Sequence, residues 1–269
     1  MLGCSNAFIT HAEFSIFMHF GILKGMLELA RIVYQNYYLR KANCWIFQTE
    51  SARRGAIKRA FLPEQNTYVV ANSCGEHYKN YVSSSNHKNY SSTYKILVPA
   101  AYYPLKNLQI IPFVAKELKT AMDKRGLSQK FEFIFTISEN SKDWEKLMSK
   151  FQLLGMEDYA LNNGPFSIKD GPQLYASSNA VFLPTLLETF SGVFIEAMAM
   201  GIPLVVSDRS FARDICKDCA IYFDPCNPKS AAKALLNLIE LSESDRDNFI
   251  KKGYHQINMF PSISERDRK

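Results

Sequence analysis

Short apolar runs alternate with helix-period segments along most of this chain. YKILV (94–98), FEFIFTI (131–137), AVFL (180–183), PLVV (203–206) and AIYF (220–223) are almost continuously apolar. Between and beyond them, spacings of three and four predict helices at 107–125, 142–154, 172–178, 191–200, 211–217 and 228–242. Strands with no polar face, separated by helices, belong to a parallel sheet covered on both sides. The expected architecture is therefore α/β, a Rossmann-like doubly wound parallel sheet. Ligands of such sheets sit at the carboxyl ends of the strands.

The first hundred residues follow the same grammar less completely. Leu23, Met26, Leu27, Ala30, Val33, Tyr34 and Tyr38 recur at helical spacing, which predicts a helix from Phe14 to Lys41. CWIF (44–47), a basic helix starting near Glu50 and TYVV (67–70) then make a strand, helix, strand fragment. Residues 73–93 are rich in Ser, Asn, Lys and Tyr and read as a linker between domains. The expected organisation is residues 1–72, a linker at 73–93, and a larger domain at 94–269.

At 269 residues, with 47% apolar and 22% charged residues, the chain can bury a substantial core. It has no apolar run near the roughly 20 residues of a spanning helix, and no secretory leader pattern, so a cytoplasmic protein is expected. The six cysteines at 4, 44, 74, 216, 219 and 226 are dispersed, unlike those of a disulfide scaffold. Cys216 and Cys219 form a CxxC, but a zinc site lacks further ligands nearby, and buried structural thiols are the simpler expectation.

Charge is unevenly distributed. Residues 1–100 hold 11 Lys and Arg against 5 Asp and Glu, while the rest hold 21 of each. An anionic membrane surface, a phosphorylated acceptor or a merely solvated basic surface each fit the basic half. The aromatics and basic end of the first helix, Arg40 and Lys41, suit a membrane, but an ordinary core-facing helix is the first expectation. Nucleic acid is not expected, because no aromatics interleave with the basic residues at 53–59.

The stretch ETFSGVFIEAMAMG (188–201) carries the candidate chemistry. From Gly192 to Met200 it is apolar on every face except for Glu196, so the helix is buried and its carboxylate needs a partner. The preceding strand AVFL places Glu188 to Gly192 at a carboxyl end, where the amides near Phe190, Ser191 and Gly192 begin a helix and suit an anion. Carboxylates flanking an anion cradle suit hydroxyl groups attached to that anion. A sugar nucleotide offers both. A buried glutamate satisfied by backbone amides is the alternative.

Two glutamates separated by seven residues and running into EAMAMGIPLVVSD resemble the donor-binding motif of the retaining family 4 glycosyltransferases, whose GT-B arrangement sets two Rossmann-like domains across a cleft. YYPLKNLQIIPFVAKEL (102–118), LYASSNAVFLPTLLETFSG (174–192), SDRSFARDICKDCAIYFDP (207–225) and FQTESARR (47–54) are similar to segments of bacterial members that build surface polysaccharides. The resemblance implies that Glu196 holds the ribose hydroxyls, Glu188 meets the transferred sugar, and Thr189, Phe190, Ser191 and Gly192 hold the diphosphate. It implies that Lys106 supplies a cation to the diphosphate and that Phe166, in NNGPFS (162–167), lies beside the base. Ala100 and Ala101 stand where the family has a glycine-arginine pair. The implied acceptor is a glycan or a lipid-linked hydroxyl. The resemblance also implies an amino-terminal acceptor domain that is largely missing and a site at the inner face of the membrane. A truncated, non-catalytic nucleotide-sugar binder is the other reading.

No GxGxxG or GxxxxGK occurs among the twelve glycines. Asp245-Arg246-Asp247 spells a DxD, but it follows Ser242 and Ser244 at the start of a polar helix, where acids are commonplace. No metal and no cofactor are therefore expected, with the nucleotide sugar acting as substrate.

Overall fold

In a computed structural model, residues 1–13, 16–17, 21–81, 93–261 and 266 are described. Two parallel sheets organise them. The smaller has the order β1-β2-β3, built from β1 (Leu2–Gly3), β2 (Trp45–Phe47) and β3 (Thr67–Val69). The larger has the order β6-β5-β4-β7-β8-β9. Its strands are β4 (Thr93–Val98), β5 (Lys130–Phe135), β6 (Ala160–Asn162), β7 (Ala180–Leu183), β8 (Leu204–Ser207) and β9 (Ala220–Phe223). This is the expected doubly wound α/β arrangement. The chain runs outward from β4 through β6 and returns beside β4 as β7, so β4 and β7 flank the point where strand order reverses.

Burial explains the continuous apolar runs. Phe133, Phe135, Phe182 and Phe223 are fully or almost fully buried, and Phe182 stacks on Phe223 at 5.0 Å between ring centroids. Helices α5 (Ile111–Lys124), α6 (Lys142–Leu153), α7 (Gly171–Ala176), α8 (Gly192–Ala199), α9 (Ser210–Cys216), α10 (Pro228–Ile239) and α11 (Glu243–Ile257) lie among the strands close to their expected places. Strands β1 and β6 carried no usable signal. Each has at most three residues and sits at a sheet edge, where only one neighbour rewards an apolar side chain.

The amino-terminal helices differ from expectation. The helix expected over 14–41 is observed as α2 (Ile22–Leu39), beginning after Gly21 at φ 82°, while residues 14, 15 and 18–20 lie outside the described residues. Its packed stripe is Gly25, Glu28, Ile32, Gln35, Asn36 and Leu39, whereas Ile22, Leu23, Met26, Leu27, Val33, Tyr34, Tyr37 and Tyr38 are exposed. Apolar periodicity found this helix correctly but does not say which face turns inward. Helix α1 (Ala7–Thr10) packs closely on α3 (Glu50–Ala60), because a side chain at Gly55 would run into the Thr10 carbonyl.

The expected linker is also not a simple solvated connection. Within it, α4 (Glu76–Lys79) forms, and Cys74 and Tyr78 are buried in the core of the larger sheet. Tyr78 meets Tyr175 edge-on at 5.5 Å, and the Cys74 thiol donates to the Ile195 carbonyl. Apolar and aromatic content was hidden by the polar neighbours. Residues 82–92 of that stretch lie outside the described residues.

The two sheets meet through named contacts. The Ser51 amide donates to Asp214 Oδ2 at 3.0 Å. His11 is buried, with Nδ1 2.8 Å from Thr10 Oγ1, Nε2 3.0 Å from Ser51 Oγ, and its ring edge-on to Phe211. Ala12, Ile16 and Phe17 bury Leu186 and Leu187 from the loop after β7. His19, the other histidine near the first helix, lies outside the described residues.

Candidate functional site

Loops at the carboxyl ends of β4 and β7 bring together most of the residues singled out in the sequence. After β4 the chain forms a tight turn at Pro104–Lys106, and Asn107 takes a left-handed conformation at φ 56°. The Asn107 amide group donates to the Pro225 carbonyl at 2.8 Å, tying this turn to the loop after β9. The Leu186 amide donates to the Leu105 carbonyl at 2.8 Å, tying it to the loop after β7. Lys106 is thus held from both sides.

Lys106 Nζ donates to Glu188 Oε1 at 2.8 Å, with each side chain 21% exposed. The expected diphosphate cation and the expected sugar-binding carboxylate are therefore one ion pair. Sequence separation concealed it. Glu188 Oε2 is buried without a hydrogen-bond partner, as is the nearby Thr185 hydroxyl. Such orphaned polar atoms cost about 1–3 kcal/mol each unless something else satisfies them.

Beyond Glu188 the chain enters α8. Thr189 and Ser191 are buried, Phe190 packs on Phe260, and Gly192 is exposed. The Thr189 hydroxyl donates to the Ser5 carbonyl at 3.4 Å, so it faces the smaller sheet's end rather than standing free for an anion. Ser191 caps α8 without a side-chain hydrogen bond, and the first amides of the helix have no partner within it.

Glu196 has an internal partner, which corrects the expectation that only a ligand would supply one. The Tyr175 phenol, fully buried, donates to Glu196 Oε2 at 2.8 Å. Burial raises the Glu196 carboxyl above its usual range, and the Tyr175 hydrogen bond opposes that rise. Among the described residues, no backbone amide donates to the Glu196 carboxylate. The other oxygen faces the start of α8, where a methyl at Gly192 would sit 3.5 Å from Glu196 Oε1. Tyr175 was legible only as a helix residue, since nothing in a sequence marks a phenol aimed at a carboxylate 21 positions later.

Phe166 is half-buried against Gly171, at the start of the helix that carries Tyr175, and so lies on the Glu196 side of the site. Arg209 was missed. It follows β8, contacts Glu13 at 3.5 Å, and keeps a buried Nε without a partner. A lone arginine in SDRSF gives no signal of a partner 196 positions away.

Among the described residues, no group of three or more His, Cys, Asp or Glu side chains is placed to hold a metal. Cys216 and Cys219 are both buried, and burial raises their thiols. Asp245 lies in the first turn of α11, where its amide is capped by Ser242.

Residues 164–256 match the family described as Glycosyl transferases group 1. The segment runs from before α7 into α11 and includes Glu188, Tyr175 and Glu196. A sucrose-phosphate synthase from Spinacia oleracea is 34% identical over 97 residues, spanning 35% of this chain and 9% of its own length. A glycosyltransferase from Rickettsia africae has a similar structure, with TM-score 0.73 and 14% identity over 87% of this chain and 63% of its own. An α,α-trehalose-phosphate synthase (UDP-forming) from Burkholderia vietnamiensis superposes with TM-score 0.67 and 12% identity, over 87% of this chain and 62% of its own. The fold is thus shared with GT-B glycosyltransferases. The chain spans a small part of its curated relatives and about three-fifths of these structures.

Proposed function

We propose that this chain binds a nucleotide sugar and transfers its sugar, with retention of anomeric configuration, to a hydroxyl of a glycan or lipid-linked acceptor. The observation that carries the proposal is the pairing of Lys106 with Glu188 at the β4–β7 reversal, beside the start of α8 and the carboxylate of Glu196. The family match over residues 164–256 supports it. The relatives compared carry sucrose-phosphate and trehalose-phosphate synthase names, so a role in surface polysaccharides rests on the resemblance of the sequence alone.

In this account the ribose hydroxyls donate to Glu196, the base lies against Phe166, and the diphosphate meets the first amides of α8 and the ammonium of Lys106. No metal is needed, because a cation at about 4 Å is worth on the order of 4 kcal/mol at an effective dielectric of 20. As the anomeric carbon–oxygen bond breaks, negative charge grows on the departing diphosphate, where Lys106 stabilises it. The acceptor oxygen forms the new bond, and its proton passes to the departing nucleoside diphosphate. Glu188, released from Lys106, accepts hydrogen bonds from the sugar hydroxyls.

The same chain is proposed to contact an anionic membrane through α2. Its outward face from Ile22 to Tyr38 carries no charge, while Lys24, Arg31, Arg40 and Lys41 flank it against a single acid, Glu28. An exposed apolar face edged with basic groups suits an interface of lipid headgroups. Among the described residues, no helix is long and apolar enough to cross a membrane.

A nucleotide-release assay tests the activity. Purified chain is incubated with UDP-, GDP- and ADP-sugars, with and without membrane extract as acceptor. Acceptor-dependent release with an α-linked product from an α-linked donor is expected. Absence of release with every donor, with or without acceptor, supports the non-catalytic donor binder instead.

A further inference from the structure

Tyr175 makes an unusual use of a buried phenol. It is fully buried, on a helix of only six residues, and its hydroxyl reaches past the core to Glu196 Oε2 at 2.8 Å. Tyr78 braces its ring edge-on at 5.5 Å, and Tyr78 itself comes from the stretch that ties residues 74–79 to the larger sheet. The carboxylate therefore has one oxygen fixed and one, Oε1, turned toward the open start of α8.

We infer that Tyr175 is a positioning residue for nucleotide binding, holding Glu196 in the one rotamer that presents Oε1 to a diol. The inference rests on the proposed nucleotide site and adds to it the group that preorganises its carboxylate. A glutamate side chain loses rotamer freedom when fixed. Here that loss is incurred on folding rather than on binding, which leaves more of the ribose interaction as affinity. One carboxylate oxygen has two lone-pair sites and can accept from both hydroxyls of a diol, so a single free oxygen also sets the orientation of the diol.

The electrostatics give this role a signature. Burial raises the Glu196 carboxyl and the Tyr175 hydrogen bond lowers it. The other titratable groups around it are Cys74, Tyr78 and Tyr175, all raised by burial first and by Glu196 next, with Lys79 acting on Cys74. These thiol and phenol groups stay neutral in the acid range. Without the Tyr175 hydroxyl, Glu196 takes up its proton at a higher pH, and a protonated carboxyl accepts ribose hydroxyls less well.

The test is calorimetric titration of UDP, with GDP and ADP in parallel, from pH 4.5 to 8 in EDTA against wild type, Tyr175→Phe and Glu196→Gln. Tyr175→Phe keeps the ring and its contact with Tyr78, so it is expected to fold. Roughly five- to tenfold weaker binding at neutral pH is expected for Tyr175→Phe, the size of one net hydrogen bond. Its acid loss of affinity is expected to begin at higher pH than in wild type. Glu196→Gln is expected to bind weakly and without that acid loss. The nucleotide's own phosphate titrates equally in all three. The Glu196 carboxyl carbon shift, followed by NMR in the free protein, reads the same midpoint without ligand. Three results overturn the inference: Tyr175→Phe binding like wild type while Glu196→Gln does not, weaker binding with an unmoved midpoint, or a Tyr175→Phe chain that does not fold. If no nucleotide binds wild type, the nucleotide site itself is wrong.

Discussion

Lys106 Nζ stands 2.8 Å from Glu188 Oε1, joining loops 82 positions apart in the chain. Neither residue is ordinary surface charge, since each side chain is 21% exposed. Lys106→Met leaves a largely buried carboxylate without its cation. A loss of about 1–3 kcal/mol is expected, between the values for exposed and fully buried pairs. Thermal melting checks this. Donor cleavage at saturating substrate is expected to slow by roughly 10²–10³, as for other groups that stabilise growing negative charge.

Glu188 and Glu196 are expected to separate by ligand. Glu196→Gln weakens binding of the free nucleoside diphosphate by about 1–3 kcal/mol, the range for a hydrogen bond to a charged group. Glu188→Gln does not weaken the free nucleotide, because it releases Lys106 toward the diphosphate, and weakens only the sugar-bearing donor. Calorimetry with UDP and a UDP-sugar separates the two, and equal effects on UDP would refute the division of roles.

His11 predicts a pH dependence of stability. Burial, with Arg59 adding to it and Asp214 opposing, lowers its ring from the ordinary value near 6.5 to about 4. The unfolded chain therefore takes up this proton at higher pH than the folded one. Stability from this group is complete above about pH 6.5 and is lost as pH falls toward 4, by up to about 3 kcal/mol. His11→Gln should flatten that part of a melting-temperature profile. A wild-type profile with no slope between pH 6.5 and 4 would contradict the burial argument.

The α2 face predicts lipid binding. Wild-type protein should co-sediment with vesicles containing phosphatidylserine and less with neutral ones. Leu23→Glu with Leu27→Glu should abolish it without lowering the melting temperature, because both residues are exposed. Equal sedimentation of this variant would rule out α2 as the contact.

Much of this architecture was legible in the sequence because continuous apolar strands have only one common use. AVFL and AIYF appear as strands with their expected bounds, Ala180–Leu183 and Ala220–Phe223. Glu196 was singled out because a lone acid in an apolar helix demands a partner, and Glu188 through the family resemblance. What stayed hidden depends on partners distant in sequence. Tyr175 and Glu196, Lys106 and Glu188, and Thr189 with Ser5 are contacts made by topology, and residue type alone does not encode them. The outward apolar face of α2 was hidden for a related reason, since period gives a face but not its direction.

The most direct test of the account is binding itself. Purified chain titrated calorimetrically with UDP, GDP and ADP in EDTA should show saturable, metal-independent binding of at least one of them, lost or sharply weakened in Glu196→Gln. Binding that appears only with Mn²⁺ or Mg²⁺ would contradict the metal-free site. No binding of any of the three, with or without metal, would contradict the nucleotide-sugar account as a whole.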